Sequence, residues 1–310
     1  MSSPHFGYFE ASIVGLFQGV SELFPISSLG HSILIPALVG GSWARDLNVS
    51  AGESPYLAFI VGMHVATALA LIAYFWRDWV RIVRGFFSSV VRREVHTPEQ
   101  RLAWLLVIGT IPVGLVGLLF EHTFRTTFGK PLSAAIFLMV NGLILFGGEY
   151  LRRRAPASEG YEMATVAVAK SGDGGRDQHI DHRLAGLSVR DAVFVGSSQI
   201  GALFSGISRS GIAMTAGLLR GLSHEDAARF SFLLATPVIL AAGVLKIPDL
   251  TGPLGDGVRG QILLGSVLSG VGAYLSVRFL DRYFQTRTLT PFAIYCLLAG
   301  VACTVRFGVF

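Results

Sequence analysis

The sequence predicts an all-α polytopic membrane protein, built as an inverted-topology repeat in which each half is a re-entrant helical hairpin plus three transmembrane helices. Three observations predict it. The 310 residues are 52% hydrophobic and only 15% charged, where soluble chains carry roughly a quarter charged residues. Six apolar runs approach the roughly 20 residues that cross a bilayer. The stretches 15–40 and 196–221 resemble each other, which divides the chain into two similar halves.

Taken in order, the clear spans are 56–76 (YLAFIVGMHVATALALIAYFW), 102–120 and 131–151 in the first half. Three more are expected at about 227–246, 260–280 and 290–307. The first residues show neither a basic n-region nor a small-residue cleavage site, so no removable signal peptide is expected. The formal net charge of +5 does not point to nucleic acid, because its location reports topology. Arg77, Arg81, Arg84, Arg92, Arg93 and Arg101 fall between two spans, and Arg152, Arg153, Arg154, Lys170, Arg176 and Arg183 follow another. The loop at 121–130 holds only Arg125 and Lys130, and the one at 247–258 has no basic residue. Positive charge gathered in alternate loops marks the cytoplasmic side. Three spans per half is an odd number, so the second half enters the membrane with opposite orientation.

Residues 155–187 form the long polar stretch, rich in Gly, Asp and Ser, and are expected to be a mobile cytoplasmic linker. The domain reading is therefore a first membrane repeat over 1–154, the linker, and a second, inverted repeat over 188–310, forming one integrated membrane domain. Within the linker, the HIDH run (His179, Asp181, His182) reads as a solvated loop rather than a metal site. Cys296 and Cys303 lie seven residues apart in one predicted helix, about 10 Å along its axis, too far for a disulfide.

The pieces at about 9–24 with 28–40, and about 190–204 with 210–222, are too short or too interrupted to span. Broken backbone at membrane depth survives only where protein buries it or it lines a wet cavity. Each pair is therefore expected to be a re-entrant hairpin, with the two tips meeting near the midplane. The first tip carries Gln18, Glu22, Pro25, Ser27, Ser28 and His31; the second carries Ser205, Gly206, Ser208, Arg209, Ser210 and Gly211. Gln18 and Glu22 share a face of the helix that Pro25 ends.

A charge at the membrane centre costs about 2.5–3.5 kcal/mol on insertion scales, so Glu22 and Arg209 are best explained by one shared polar cavity. An arginine among serines and glycines at a helix start suits phosphate oxygens, which a guanidinium grips as a fork. A carboxylate facing that anion calls for a cation, and Mg²⁺ binds through one or two carboxylates plus substrate phosphates. Glu22 with Gln18 fits that role, His31 can move a proton, and Ser27 is a candidate nucleophile. Of the remaining polar residues, His64 and Thr67 share a face of the first full span. His64 either lines the cavity or bonds between helices, and Asn141 is read as an interhelical hydrogen-bonding residue.

The runs QGVSELFPISSLGH (18–31) and GISRSG (206–211) strongly resemble the undecaprenyl-diphosphate phosphatase family, known for bacitracin resistance. Its motifs are (E/Q)xxxE leading into PxSSxxH, and PGxSRSxxT in the second half. The resemblance covers nearly the whole chain apart from 155–187. It implies hydrolysis of undecaprenyl diphosphate to undecaprenyl phosphate and inorganic phosphate with Mg²⁺ or Ca²⁺. It further implies an inner membrane of a bacterium, with the site open to the outer face and the lipid carrier recycled for peptidoglycan synthesis. Matching positions are Gln18, Glu22, Ser27, His31, Ser208, Arg209 and Ser210, with Ser28, Gly206, Gly211 and Thr215 as further substrate contacts. Gln18 is the neutral option of its motif, Ser205 stands for the proline, and Ala213 for the threonine. The expected partners are the lipid substrate and membrane lipids, not nucleic acid; homo-oligomer formation is left open. A polyprenyl-phosphate transporter or flippase is the alternative, because inverted repeats with broken helices are also a transporter design.

Overall fold

A computed structural model describes residues 7–47, 55–154, 159–171, 175–245 and 257–309. These residues are helical, without strands. In chain order the helices are α1 (Tyr8–Leu23), α2 (Ser28–Val39), α3 (Gly41–Asp46), α4 (Pro55–Tyr74), α5 (Trp76–Arg92), α6 (Pro98–Phe128) and α7 (Pro131–Arg152). There follow α8 (Glu159–Ser171), α9 (Arg176–Ala185), α10 (Val189–Ser198) with a 3₁₀ turn (Gln199–Leu203), and α11 (Arg209–Leu219). The last three are α12 (His224–Leu245), α13 (Arg259–Tyr283) and α14 (Thr290–Val309).

Five of these are long and apolar enough to cross a membrane: α6, α7, most of α12, α13 and α14. The sixth expected span, 56–76, is α4, and it continues into α5 through an 88° bend. The bend falls at Phe75, where apolar sequence gives way to the arginines of α5 and the helix turns across them. The protein is thus a multi-pass membrane protein. Helices α1, α2, α10 and α11 are shorter, with 16, 12, 10 and 11 residues. The loop expected at 247–258 lies outside the described residues apart from Gly257 and Val258.

Packing crosses between the halves. Helix α1 lies along α13, α10 along α6, and α7 along α14, while α4 contacts both α12 and α13. The α1–α13 approach needs glycine: a Cβ on Gly15 or Gly19 would run into the α13 backbone at Gly265 and Ser269. Small residues spaced by four are what bring membrane helices into backbone contact. Capping fixes the start of α6, where Thr97 Oγ1 accepts from Gln100 N at 3.3 Å and Gln100 Oε1 accepts from Thr97 N at 3.1 Å. Pro98 then occupies the first turn, where its missing N–H costs nothing.

The polar stretch departs from expectation. Instead of a linker without regular structure, its described part forms α8 and α9, and α9 docks on the bundle through charges. Buried Arg229 of α12 meets Asp177 at 2.9 Å, Asp181 at 3.3 Å and Asp78 of α5 at 2.8 Å. Arg81 reaches Asp181 at 2.6 Å and also pairs with Asp78. The HIDH aspartate is therefore spent on two arginines. Arg176 adds contacts to Glu225 and Asp281 at 2.6 and 3.0 Å. Arg183 pairs with Asp226, which also accepts the Tyr161 hydroxyl.

Candidate active site

The two tips meet. Helix α1 ends at Leu23 ahead of Pro25, and α2 begins after Ser27, whose hydroxyl caps it by accepting from Gly30 N at 3.2 Å. Helix α11 starts the same way, with Ser208 Oγ accepting from Gly211 N at 3.2 Å. Two serine-capped helix N-termini therefore face the same region, each carrying the partial positive charge that attracts anions. The tips touch at glycines: a Cβ on Gly30 would come within 2.9 Å of Gly206 Cα. Gly206 itself has φ 122°, a conformation that side chains resist.

Hydrogen bonds stitch the tips together. Ser210 Oγ and Ser208 Oγ reach the Phe24 carbonyl at 3.2 and 3.4 Å and lie 3.1 Å from each other. Asn141 of α7 donates to the Pro25 carbonyl and accepts from Ser208 N, both at 3.0 Å. The interhelical role expected for Asn141 is met, and its site turns out to be the junction of the tips.

At the centre is Glu22, whose side chain is 4% exposed. Its Oε1 pairs with Arg209 Nη2. Its Oε2 accepts from Ser28 Oγ at 2.5 Å and Gln18 Nε2 at 3.0 Å, with His64 Nε2 at 3.3 Å. The His64 Nδ1 is 2.8 Å from the Ile60 carbonyl, to which it donates. Its Nε2 lies 3.3 Å from Gln18 Nε2 as well as from Glu22 Oε2. Gln18 thus turns its NH₂ toward Glu22 and His64, while its Oε1 faces Ser32 Oγ at 3.4 Å. Among the described residues, Arg209 Nη1 and Nε take no hydrogen-bond partner, and the side chain is 18% exposed. Glu22 takes one of the five guanidinium N–H groups, and the others are available to a ligand.

His31 sits apart from this cluster. Its Nδ1 is 2.8 Å from the Ser27 carbonyl and its Nε2 is 2.8 Å from the Tyr295 hydroxyl. Ser27 holds φ 69°, and Ser27 and Arg93 are the two non-glycine residues with positive φ among those described. Such a conformation costs about 1–3 kcal/mol and concentrates at functional sites.

The structure therefore brings Gln18, Glu22, Ser28 and Arg209 into one cluster, and adjoins Ser208, Ser210, Gly206 and Gly211 through the tip contacts. Ser27 and His31 share one tip without touching Glu22. Thr215 makes no hydrogen bond to the cluster; its Oγ1 is buried unpartnered and its side chain lies against Gly148 of α7. Ser205, in the proline position, likewise has a buried hydroxyl without a partner. Sequence reasoning left His64 undecided and did not single out Tyr295 or Ser32. The (i, i+4) spacing of Gln18 and Glu22 was visible, but nothing along the chain joins Tyr295 to a histidine 264 residues away.

A divalent cation is compatible with part of this set. Glu22 supplies an anionic oxygen, which with substrate phosphates satisfies Mg²⁺. Gln18 fits only with its amide turned round, since nitrogen faces Glu22. No group of three His, Cys, Asp or Glu side chains able to hold a metal by itself occurs among the described residues.

The bundle and its central cluster define a class: a multi-pass helical membrane protein with a buried carboxylate–guanidinium pair where two broken hairpins meet. Residues 11–302 match the family model described as bacitracin resistance protein BacA. The chain is 64% identical over 304 residues, covering 98% of each protein, to an undecaprenyl-diphosphatase of Mycolicibacterium paratuberculosis. It is 55% identical to undecaprenyl-diphosphatase 2 of Frankia alni, over 97% of this chain and 98% of that protein. It is 42% identical to undecaprenyl-diphosphatase 2 of Burkholderia orbicola, over 94% and 93%. The chain belongs to the BacA family.

Proposed function

We infer that this protein hydrolyses undecaprenyl diphosphate to undecaprenyl phosphate and inorganic phosphate. The observation that carries the inference is 64% identity across nearly the full length of proteins named undecaprenyl-diphosphatase. Hydrolysis returns the lipid carrier to cell-wall synthesis and removes the diphosphate form, which accounts for a bacitracin-resistance family.

In the proposed reaction, the terminal phosphate lies between the N-termini of α2 and α11. The N–H groups of Arg209 that Glu22 does not take bind its oxygens, and Ser28, Ser208 and Ser210 lend hydroxyls. A bond forms to the terminal phosphorus as its bond to the bridging oxygen breaks, and undecaprenyl phosphate departs. The incoming oxygen belongs to Ser27 or to water, with His31 taking its proton; His31 as the attacking group is the third choice. Where Ser27 or His31 attacks, water then displaces the side chain from phosphorus and releases inorganic phosphate. Donors aimed at the phosphoryl oxygens stabilise the charge that spreads over them. The strained backbone at Ser27 supports a working role for that tip. Mg²⁺ or Ca²⁺ would be held by Glu22, with Gln18 joining if its amide turns, and would neutralise phosphate charge when bound. Thr215 joins substrate binding only through a rearrangement of α11 against α7.

The reciprocal packing of α1 on α13 and α10 on α6 supports an inverted repeat of 1–154 and 188–310, each half carrying a re-entrant hairpin. Arginines gathered on α5 and around α9 support placing that end in the cytoplasm of a bacterial inner membrane. The tips then open toward the periplasmic face, among membrane lipids. Broken hairpins that meet inside the bundle also favour a second reading, a polyprenyl-phosphate transporter.

One experiment separates the two. The purified protein is placed in liposomes containing undecaprenyl diphosphate, and both phosphate release and movement of the lipid across the bilayer are followed. Metal-dependent phosphate release is expected. Lipid movement with no phosphate release would replace the phosphatase by the transporter.

A further inference from the structure

We propose that Tyr295 of α14 is a positioning residue for His31, donating its hydroxyl to the ring nitrogen that holds the lone pair and keeping that nitrogen covered until substrate arrives. The inference rests on the phosphatase reading for its consequence in turnover, though not for its geometry.

The ring nitrogens of His31 have unlike neighbours. The Ser27 carbonyl, 2.8 Å from Nδ1, can only accept, so Nδ1 carries the hydrogen. In the neutral ring Nε2 then holds the lone pair, and the Tyr295 hydroxyl 2.8 Å away donates to it. The partner of one nitrogen decides the state of the other. Stacking reinforces the geometry, because the two rings lie nearly parallel, 12° apart with centroids 5.7 Å apart. Phe17 closes a further side at 5.5 Å. His31 is 5% exposed while Tyr295 is 43% exposed. The more accessible partner therefore stands over the only basic nitrogen of a histidine that is otherwise enclosed.

A base on Nε2 has to exchange the tyrosine hydroxyl for the proton it accepts. The phenol also holds the ring in the one orientation from which Nε2 faces outward. Tyr295 need not touch substrate for either task. Packing alone would require the ring but not the hydroxyl, and the hydroxyl is what meets Nε2.

The test uses the full-length protein with its histidines labelled with ¹⁵N, alongside steady-state phosphate release. The variants are Tyr295→Phe, Tyr295→Leu, His31→Ala and the Tyr295→Phe/His31→Ala double. Nitrogen spectra should show His31 of the wild type as the Nδ1–H tautomer, with the Nε2 resonance shifted in Tyr295→Phe by loss of the donated hydrogen bond. Phosphate release by Tyr295→Phe should fall on the order of tenfold or more in kcat, the scale of acid–base assistance, with little change in KM. In the His31→Ala background Tyr295→Phe should change nothing further. Tyr295→Leu, which also removes the stacked ring, should be no more active than Tyr295→Phe. An unshifted His31 Nε2 resonance or wild-type turnover in a folded Tyr295→Phe protein would overturn the proposal. Wild-type protein that shows the tautomer but releases no phosphate would instead overturn the phosphatase reading.

Discussion

Glu22 and Arg209, 187 residues apart, form an ion pair that joins the tip of the first hairpin to the tip of the second. In the proposed reaction both groups serve one phosphate site that neither hairpin holds alone. Breaking a buried pair from one side costs about 3–5 kcal/mol, less where a partner keeps some contact with water, as Arg209 does. Glu22→Gln and Arg209→Ala should each lower the melting temperature in detergent. The double variant Glu22→Gln/Arg209→Ala should lose less than the two single losses added together. Strict additivity would show that the two side chains act separately.

Asn141 holds the tips in register through the Pro25 carbonyl and the Ser208 amide. Asn141→Leu should cost about 1–3 kcal/mol for the buried groups it leaves without partners. It should also raise KM for the lipid diphosphate, because the two N-termini lose their alignment. Unaltered KM with lowered stability would confine Asn141 to packing.

Ser27 separates strain from stability. Glycine adopts φ 69° without penalty and loses only a few tenths of a kcal/mol as a helix cap. Ser27→Gly should therefore melt at the wild-type temperature or above it while phosphate release falls. A variant that keeps full turnover would remove Ser27 from the reaction.

Asp78 gives a pH dependence at the arginine-rich end. Burial, ahead of the opposing pull of Arg229, raises its carboxyl to about 6. A carboxyl raised by folding contributes stability that is fully present below its unfolded value of 3.8 and is lost as pH rises through about 6. Asp78→Asn cannot ionise and escapes that loss. Its melting temperature relative to wild type should be higher at pH 7.5 than at pH 5. The reverse order would mean that the arginines dominate over burial.

Much of the site was legible because its residues cluster in two short runs. Glu22 and Gln18 sit one helical turn apart ahead of a proline, and Arg209 sits among serines and glycines, each in an apolar chain where a charge needs a reason. Five of the six expected spans were legible from apolar length, and the sixth, α4, qualifies only together with α5 across their 88° bend. What escaped notice depends on pairing between distant segments. Helix α9 buries Ile180, Asp181, Leu184 and Ala185, a face too short and too charged to show an apolar period, because its docking runs through Arg81 and Arg229. The bend at Phe75 turns α5 across the arginine-rich end, where charge alone suggested a loop. Gln18 was legible as a neutral oxygen ligand, yet its amide nitrogen donates to Glu22 and its oxygen accepts from Ser32, so the nitrogen faces the carboxylate. The His31–Tyr295 contact joins the two ends of the chain and leaves no local trace.

The most direct measurement is phosphate release from undecaprenyl diphosphate by purified wild type, Glu22→Gln, His31→Ala and Arg209→Ala, each with Mg²⁺ and with EDTA. One hydrolytic site shared by the two tips predicts release by the wild type that EDTA abolishes, and loss of release in all three variants. Wild-type rates in Arg209→Ala or in Glu22→Gln would contradict it, since either would mean that one tip works without the other.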